Sequence, residues 1–232
     1  MRKIPINKIL FLDIETVPEA ESWDDLSEKM KILWTDKTQW QRKDEISPSE
    51  FYHDRGGIMA EFGKIICISC GIILENGKFR VKSFYGHHEQ KLLQNFAELL
   101  HTRFYTPQHV LCAHNGKEFD FPFIARRMII NQVELPEILN LHGKKPWEIS
   151  HLDTMELWKF GDYKHYTSIK LLAEILGIPT PKDDIDGSQV THVYYKENDL
   201  ERIRKYCEKD TLTVAQIFRK LHYESLLELE ES

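Results

Sequence analysis

The chain has 232 residues, 41% of them hydrophobic and 29% charged, with a formal net charge of −6 at pH 7. That is enough to bury one sizeable core, and 1–232 reads as a single domain. The negative balance argues against a protein that coats nucleic acid by bulk attraction, though not against an enzyme that grips one strand end through bound cations, and no apolar run is long enough to span a bilayer. Met1-Arg2-Lys3-Ile4-Pro5 lacks the apolar core and cleavage site of a secretory leader, so the cytoplasm is the expected location and no membrane partner is expected.

The predicted elements begin with an apolar strand, Ile9-Leu10-Phe11-Leu12-Asp13-Ile14-Glu15-Thr16, that acquires two acids near its end. Successive strand side chains alternate faces, so Asp13 and Glu15 point the same way and share one pocket. The residues before them are apolar on both faces, as in the buried centre of a sheet, where negative charge is costly unless a cation is supplied. After Val17-Pro18 the segment from about 19 to 61 reads as a helical insertion. Leu26, Met30, Leu33 and Trp34 recur there at helical spacing, and Trp23, Trp40, Phe51 and Tyr52 enrich it in aromatics. This pattern is read as the inner face of an arm folded on the sheet, in preference to a base-stacking surface.

Strand signals resume over 64–74, turn at Asn76-Gly77 and return over 79–85, a hairpin because both turn residues tolerate positive φ. Cys67 and Cys70 lie in the first of these strands; three apart, they face opposite ways, and no second pair completes a zinc site, so they read as buried free thiols. A helix follows over about 89–104 with Leu92, Phe96, Leu99 and Leu100 inward, then a short strand over 110–113 that ends in His114-Asn115-Gly116. The rest reads as a helix over about 121–131, a loop through 141–146, an extended piece near 149–153 and a helix from Thr167 or Ser168 to Gly177. An acidic loop over 181–187, a long helix over about 197–223 and a solvated acidic tail over 225–232 complete the chain. Strands adjacent early and separated by helices later imply a mixed sheet covered by helices, an α/β architecture.

Further acids fall where the first pair would need them. Asp120 stands between a buried strand and a helix that Pro122 helps to start, either as a simple N-cap or as an acid beyond the carboxyl ends of the strands, where ligands of α/β sheets gather. Asp210 is more telling. Ile203, Tyr206, Asp210, Val214, Ile217 and Leu221 share one helix face by their spacing, which plants a carboxylate inside an apolar stripe with Tyr206 one turn above it. Other polar residues carry plainer readings. Asp153 reads as a helix N-cap with a role near the acids as the alternative, and Asp183, Asp184 and Asp186 as a solvated loop. Arg126 and Arg127 read as water-facing in preference to phosphate contacts, and His114 as a hydrogen-bonded structural residue.

Asp-x-Glu in the first strand, Asn115-x-x-x-Phe119-Asp120 and Tyr206-x-x-x-Asp210 resemble the three motifs of the DEDD superfamily of 3′→5′ exonucleases, in its tyrosine subgroup (DEDDy). The chain is most similar to the proofreading exonuclease domain of family B DNA polymerases and its stand-alone bacterial relatives. The stretch from Tyr166 to Leu172, followed by Lys182-Asp183-Asp184, is similar to the region between the second and third motifs. The resemblance implies a ribonuclease H-like fold and hydrolysis of phosphodiester bonds from the 3′ end of single-stranded nucleic acid, DNA in preference to RNA. It implies two divalent cations, Mg2+ or Mn2+, with Asp13, Glu15, Asp120 and Asp210 as metal ligands and Tyr206 as a further catalytic residue. Thr16, Asn115, Phe119 and Lys182 are the substrate-binding candidates.

The chemistry agrees, because these ions favour oxygen ligands and four carboxylates roughly balance two of them. Two ions roughly 4 Å apart activate a water on one side of a phosphate and stabilise the leaving 3′ oxygen on the other. Tyr206 is read as orienting the water, since an unperturbed phenol titrates near pH 10. Beyond the nucleic acid, replication or repair proteins are the implied partners; the oligomeric state is left open. No polymerase domain is read in these residues, so proofreading in cis is not expected. An exoribonuclease trimming RNA 3′ ends and a non-catalytic nucleic-acid-binding module are the rival readings, and the presence of all five motif residues counts against the second.

Overall fold

The computed structural model describes residues 4–42, 46–162, 164–179 and 185–229. At its centre is β1 (Ile9–Pro18), whose Ile9 and Phe11 are buried on one face and Leu10, Leu12 and Ile14 on the other, so the strand must lie between two layers. It pairs antiparallel with β2 (Gly63–Ile73), which turns back into antiparallel β3 (Lys78–Tyr85). On its other edge it pairs parallel with β4 (Val110–Ala113), and β5 (Leu152–Asp153) and β6 (Glu228–Leu229) complete a six-stranded sheet in the order β5-β4-β1-β2-β3-β6. In chain order the helices are α1 (Glu28–Thr38), α2 (Pro48–Arg55), α3 (Glu89–Arg103), α4 (Asp120–Ile130), α5 (Thr154–Lys159), α6 (Ile169–Ile175), α7 (Val190–His192) and α8 (Leu200–Leu221). This mixed sheet flanked by helices is the α/β, ribonuclease H-like arrangement expected. Among the described residues no helix is long and apolar enough to cross a membrane.

Each face of β1 meets its own helical layer. Leu92, Phe96 and Leu100 of α3 and Phe121, Ile124 and Met128 of α4 pack on Leu10, Leu12 and Ile14. Val214, Ala215 and Phe218 of α8 pack on Ile9 and Phe11. The alternation that buries Phe11 against α8 also turns Asp13 and Glu15 toward that helix. Cys67 and Cys70 fall in cores on opposite faces, buried and free, as their odd separation requires.

Several local features differ from expectation for physical reasons. Leu74 N–H bonds Lys78 O at 2.9 Å, and only Gly77 of the turn takes positive φ (80°), so the hairpin has a wider loop in which the Asn76 side chain accepts from Lys78 N–H at 3.0 Å. The final helix starts later than expected because Asn198 adopts φ 53°; Asp199 then caps it, accepting from Arg202 N–H at 3.0 Å. The tail is not simply solvated over its described part, up to residue 229; residues 230–232 lie outside the described residues. Gln216 Nε2 donates to Leu227 O at 3.0 Å and its Oε1 accepts from Leu227 N–H at 2.8 Å, which seats β6 beside β3 at the sheet edge.

The segment over 19–61 builds a small core of its own. Trp34, Tyr52 and Phe62 are buried there, with Trp23, Met30 and Phe51 packed around them, and Trp34 Nε1 donates to Pro48 O at 2.9 Å. Only one stripe of α1 has anything to pack against, so Leu33 stays 46% exposed and Trp40, beyond its end, 90% exposed, contrary to the expectation of a fully inward face.

Arg127 is the sharper correction. It neither faces water nor waits for phosphate: it is buried in α4, bonds Glu89 through Nε (2.9 Å) and Nη2 (2.5 Å), reaches Glu19 at 3.0 Å and donates to Ala60 O at 2.9 Å. Glu89 in turn accepts from Ile65 N–H at 2.7 Å and Asn131 Nδ2 at 2.8 Å. Removing one partner of a buried pair leaves the other uncompensated. Arg127→Met is expected to lower unfolding stability by about 3–5 kcal/mol in urea titration, whereas exposed Arg126→Ala should stay within about 0.5 kcal/mol of the parent.

Candidate active site

Asp13 and Glu15 stand on β1 just past the point where its pairing with β4 ends, at Phe11 and Cys112. Beyond that point the strand edge is open, and Ile14 N–H donates to the Asp120 carboxylate. One hydrogen bond thus pins the first residue of α4 to the strand carrying the other acids. Between Glu15 and Thr16 the register with β2 slips by one residue, which leaves Thr16 half-buried at a local bend.

The turn that delivers Asp120 is held from below. Asn115 takes φ 64°, and a Cβ on Gly116 would lie 2.4 Å from Ala113 Cβ and 2.9 Å from the Phe121 ring, so only glycine fits. Asp153 Oδ1 accepts from Asn115 N–H at 3.0 Å and Oδ2 from Lys117 N–H at 3.1 Å, while Oδ1 also caps α5 through Met155 and Glu156 N–H at 3.0 and 3.2 Å. The expected N-cap is therefore also a clamp on the Asp120 turn, a role the sequence signalled only through Asp at a strand end. His114 is structural, bridging Thr154 Oγ1 at 2.9 Å and Thr167 O at 2.8 Å. Phe119 packs on the core with its ring 5.3 Å from that of Phe123. The Asn115 Oδ1 atom is buried without a hydrogen-bond partner among the described residues.

From the other side α8 presents Tyr206, Cys207 and Asp210. Tyr206 is buried and its hydroxyl donates to the Asp210 carboxylate. Cys207 Sγ lies 3.4 Å from Asp13 O and 3.6 Å from Asp13 Oδ2. Ligand atoms of Asp13, Glu15 and Cys207 all fall within 4.8 Å of one another. Sequence reasoning missed Cys207 although it follows Tyr206, and missed Lys170, whose Nζ sits 5.7 Å from the centre of the Tyr206 ring. Lys182, with Asp183 and Asp184, lies outside the described residues.

The electrostatics are those of charges that need a partner. Burial, then the fields of Glu15, Asp120 and Asp210, hold the Asp13 pKa well above the usual carboxylate range. Glu15 is raised by burial, Asp210, Cys67 and Asp120, with Lys170 pulling the other way. Burial lifts Asp120 to about 7, although hydrogen bonds, including that from Ile14, oppose the shift. Tyr206 is raised by burial and then by Asp210, Glu15 and Asp13. Carboxylate oxygens gathered at this density form a donor set that suits hard divalent cations.

A ribonuclease H-like sheet thus carries half-buried Asp13 and buried Glu15 on its central strand, with Asp120 at one helix start and Asp210 inside another helix. Residues 58–231 match the family described as "Predicted 3'-5' exonuclease related to the exonuclease domain of PolB", and the chain belongs to that family. The matched span includes Asp120, Tyr206 and Asp210, while Asp13 and Glu15 precede it. No curated protein matches the chain. Among solved structures, the family B DNA polymerase from the hyperthermophilic archaeon Pyrobaculum calidifontis is similar to it with a TM-score of 0.56 and 15% sequence identity, over 91% of this chain and 24% of the polymerase. The likeness shows a shared fold, and the chain spans about a quarter of that polymerase's length.

The acids impose a pH dependence whose sign is set by their raised pKa values. Folded Asp13, Glu15 and Asp120 keep protons that the unfolded chain releases in the ordinary carboxylate range, so their contribution to stability falls as pH rises above that range, for Asp120 through about 7. His151 works in the opposite sense: burial pushes it down to about 4, so the stability of its neutral form is lost as pH falls below about 6.5. Comparison within one pH isolates the acids. Adding Mg2+ or Mn2+ is expected to raise the melting temperature by several degrees at about pH 7.5 and much less at about pH 5. The gain should vanish with chelator and shrink in Asp13→Asn, as read by calorimetry.

Proposed function

We propose that the chain hydrolyses phosphodiester bonds from the 3′ end of single-stranded nucleic acid, DNA in preference to RNA, releasing mononucleotides with two divalent cations, Mg2+ or Mn2+. The observation that carries this reading is geometric: ligand atoms of Asp13 and Glu15 on β1 and of Cys207 on α8 lie within 4.8 Å of one another, while Ile14 N–H between the two acids holds the Asp120 carboxylate. A pure binding module has no use for such acids where a phosphate must come. The family's description and the DNA polymerase neighbour support DNA as the substrate, and a replication or repair setting as the context. Four buried free thiols suit the cytoplasm.

In this mechanism Asp13, Glu15, Asp120 and Asp210 would hold the cations. When bound, the ions supply activation of the attacking water and charge stabilisation of the leaving 3′ oxygen. Tyr206, with its proton directed to Asp210, keeps a phenol oxygen fixed beside the acids, where it accepts a hydrogen bond from the water and aims it. Its role is orientation, since an ordinary phenol titrates near pH 10. Lys170, over the Tyr206 ring and with its field reaching Glu15, is the cation we assign to an incoming phosphate. Thr16, Asn115, Phe119 and Lys182 remain the proposed substrate contacts.

With a 5′-labelled oligonucleotide, the parent should shorten the strand one nucleotide at a time in Mg2+ or Mn2+, and chelator should stop it. Asp13→Ala and Asp210→Ala should lose on the order of 10³-fold or more in rate with circular dichroism unchanged. Tyr206→Phe should lose about 10- to 100-fold. Matched DNA and RNA strands decide the preference; a fully active Asp210→Ala protein would refute the assignment.

A further inference from the structure

A groove of about 440 Å³ is lined at one point by Thr16, the residue that follows Glu15 on β1. One wall is the end of α2 and the Gly56–Ile58 turn, from the segment to which sequence reasoning assigned no chemistry; the other runs along residues 187–196. Both walls are tied to the acid-bearing strand. A Cβ on Gly57 would stand 3.2 Å from Pro18 Cδ and 3.2 Å from Pro18 N, so the turn rests directly on the end of β1. Across the groove, Tyr195 Oη donates to Pro18 O at 2.6 Å, and Lys196 pairs with Glu21 at 2.5 Å.

The lining is mixed in a particular way. Thr16, Ser188 and Thr191 bring hydroxyl groups, and Ile58 presents an apolar side chain that is 46% exposed. Arg55 is exposed at the rim and has no ion-pair partner among the described residues. Hydroxyls suit sugar and base edges, an apolar side chain suits the face of a base, and a guanidinium suits a phosphate. Glu21 and Asp54 share this lining, but Glu21 is paired with Lys196 at 2.5 Å and Asp54 lies 3.4 Å from His53 Nδ1, which leaves Arg55 as the cation turned to an incoming anion.

We propose that this groove receives the 3′-terminal stretch of a single nucleic-acid strand, with Arg55 on a backbone phosphate, and that the segment over 19–61 is a wall of the substrate channel. The proposal rests on the nuclease reading above and assigns that site its strand path. Place and affinity are measured on the full chain in Ca2+. A single-stranded oligonucleotide carrying 4-thiothymidine at its 3′ end is photocrosslinked and the peptides mapped by mass spectrometry, and binding of a fluorescent copy is followed by anisotropy. Crosslinks are expected within 53–58 and 187–196. Arg55→Glu should weaken binding at least about 10-fold and lower the salt slope by about one. Thr191→Trp, which fills the groove, should weaken binding as well. Crosslinks confined to other segments, or parental affinity in both variants, overturn the proposal, as does a parent that binds no strand. Nucleotide release in Mg2+ tests the chemistry separately: release together with unchanged Arg55→Glu binding removes the groove alone, while groove crosslinks without release remove the nuclease reading alone.

Discussion

Carboxylates of like charge, two on the central strand and one each on α4 and α8, repel one another and resist leaving water; the rest of the architecture holds them there. The restraints come from separate directions. Apolar neighbours bury β1 on both faces, Ile14 N–H draws Asp120 in from α4, and the Tyr206 hydroxyl fixes Asp210 on α8. None of these contacts neutralises the charge, and the raised pKa values of Asp13, Glu15 and Asp120 express that deficit. Crowding acids in this way costs stability whenever they ionise, and that cost falls wherever positive charge comes near them.

What sequence alone revealed of this follows the two simple periodicities. Alternation placed Asp13 beside Glu15, and the three-and-four spacing of α8 placed Asp210 under Tyr206; both depend only on local geometry and both appear in the structure. Sheet class followed from the order of strands and helices. What was hidden depends on contacts between distant segments. Arg127 could not be recognised as buried because its partners are Glu19 and Glu89, more than thirty residues away in either case. Asp153 showed its capping role, yet the turn it clamps precedes it by 36–38 residues. Cys207 was passed over because a small apolar-looking residue on a buried helix face normally signals packing alone. The tail was misjudged by composition: its acids suggested solvent, while Leu227 and the side chain of Gln216 decided where it docks.

The site is also divided along the chain. The family match begins at residue 58, whereas Asp13 and Glu15 come from the strand before it. Between them lies the segment with its own aromatic core around Trp34 and Tyr52, returning to the sheet through Phe62 O, which accepts from Glu19 N–H at 2.7 Å. An excursion of this kind leaves and rejoins β1 at nearly the same point, so it can add surface beside the acids without altering the strand that carries them.

The guanidinium of Arg127 is a mechanical joint. It touches the residue just after β1, the start of α3 and the last turn of the aromatic segment at once, from a seat in the helix that Asp120 begins. Those four pieces therefore share a single rivet. Because one guanidinium joins all four, its loss would release the aromatic segment from α3, α4 and the end of β1 at a single stroke.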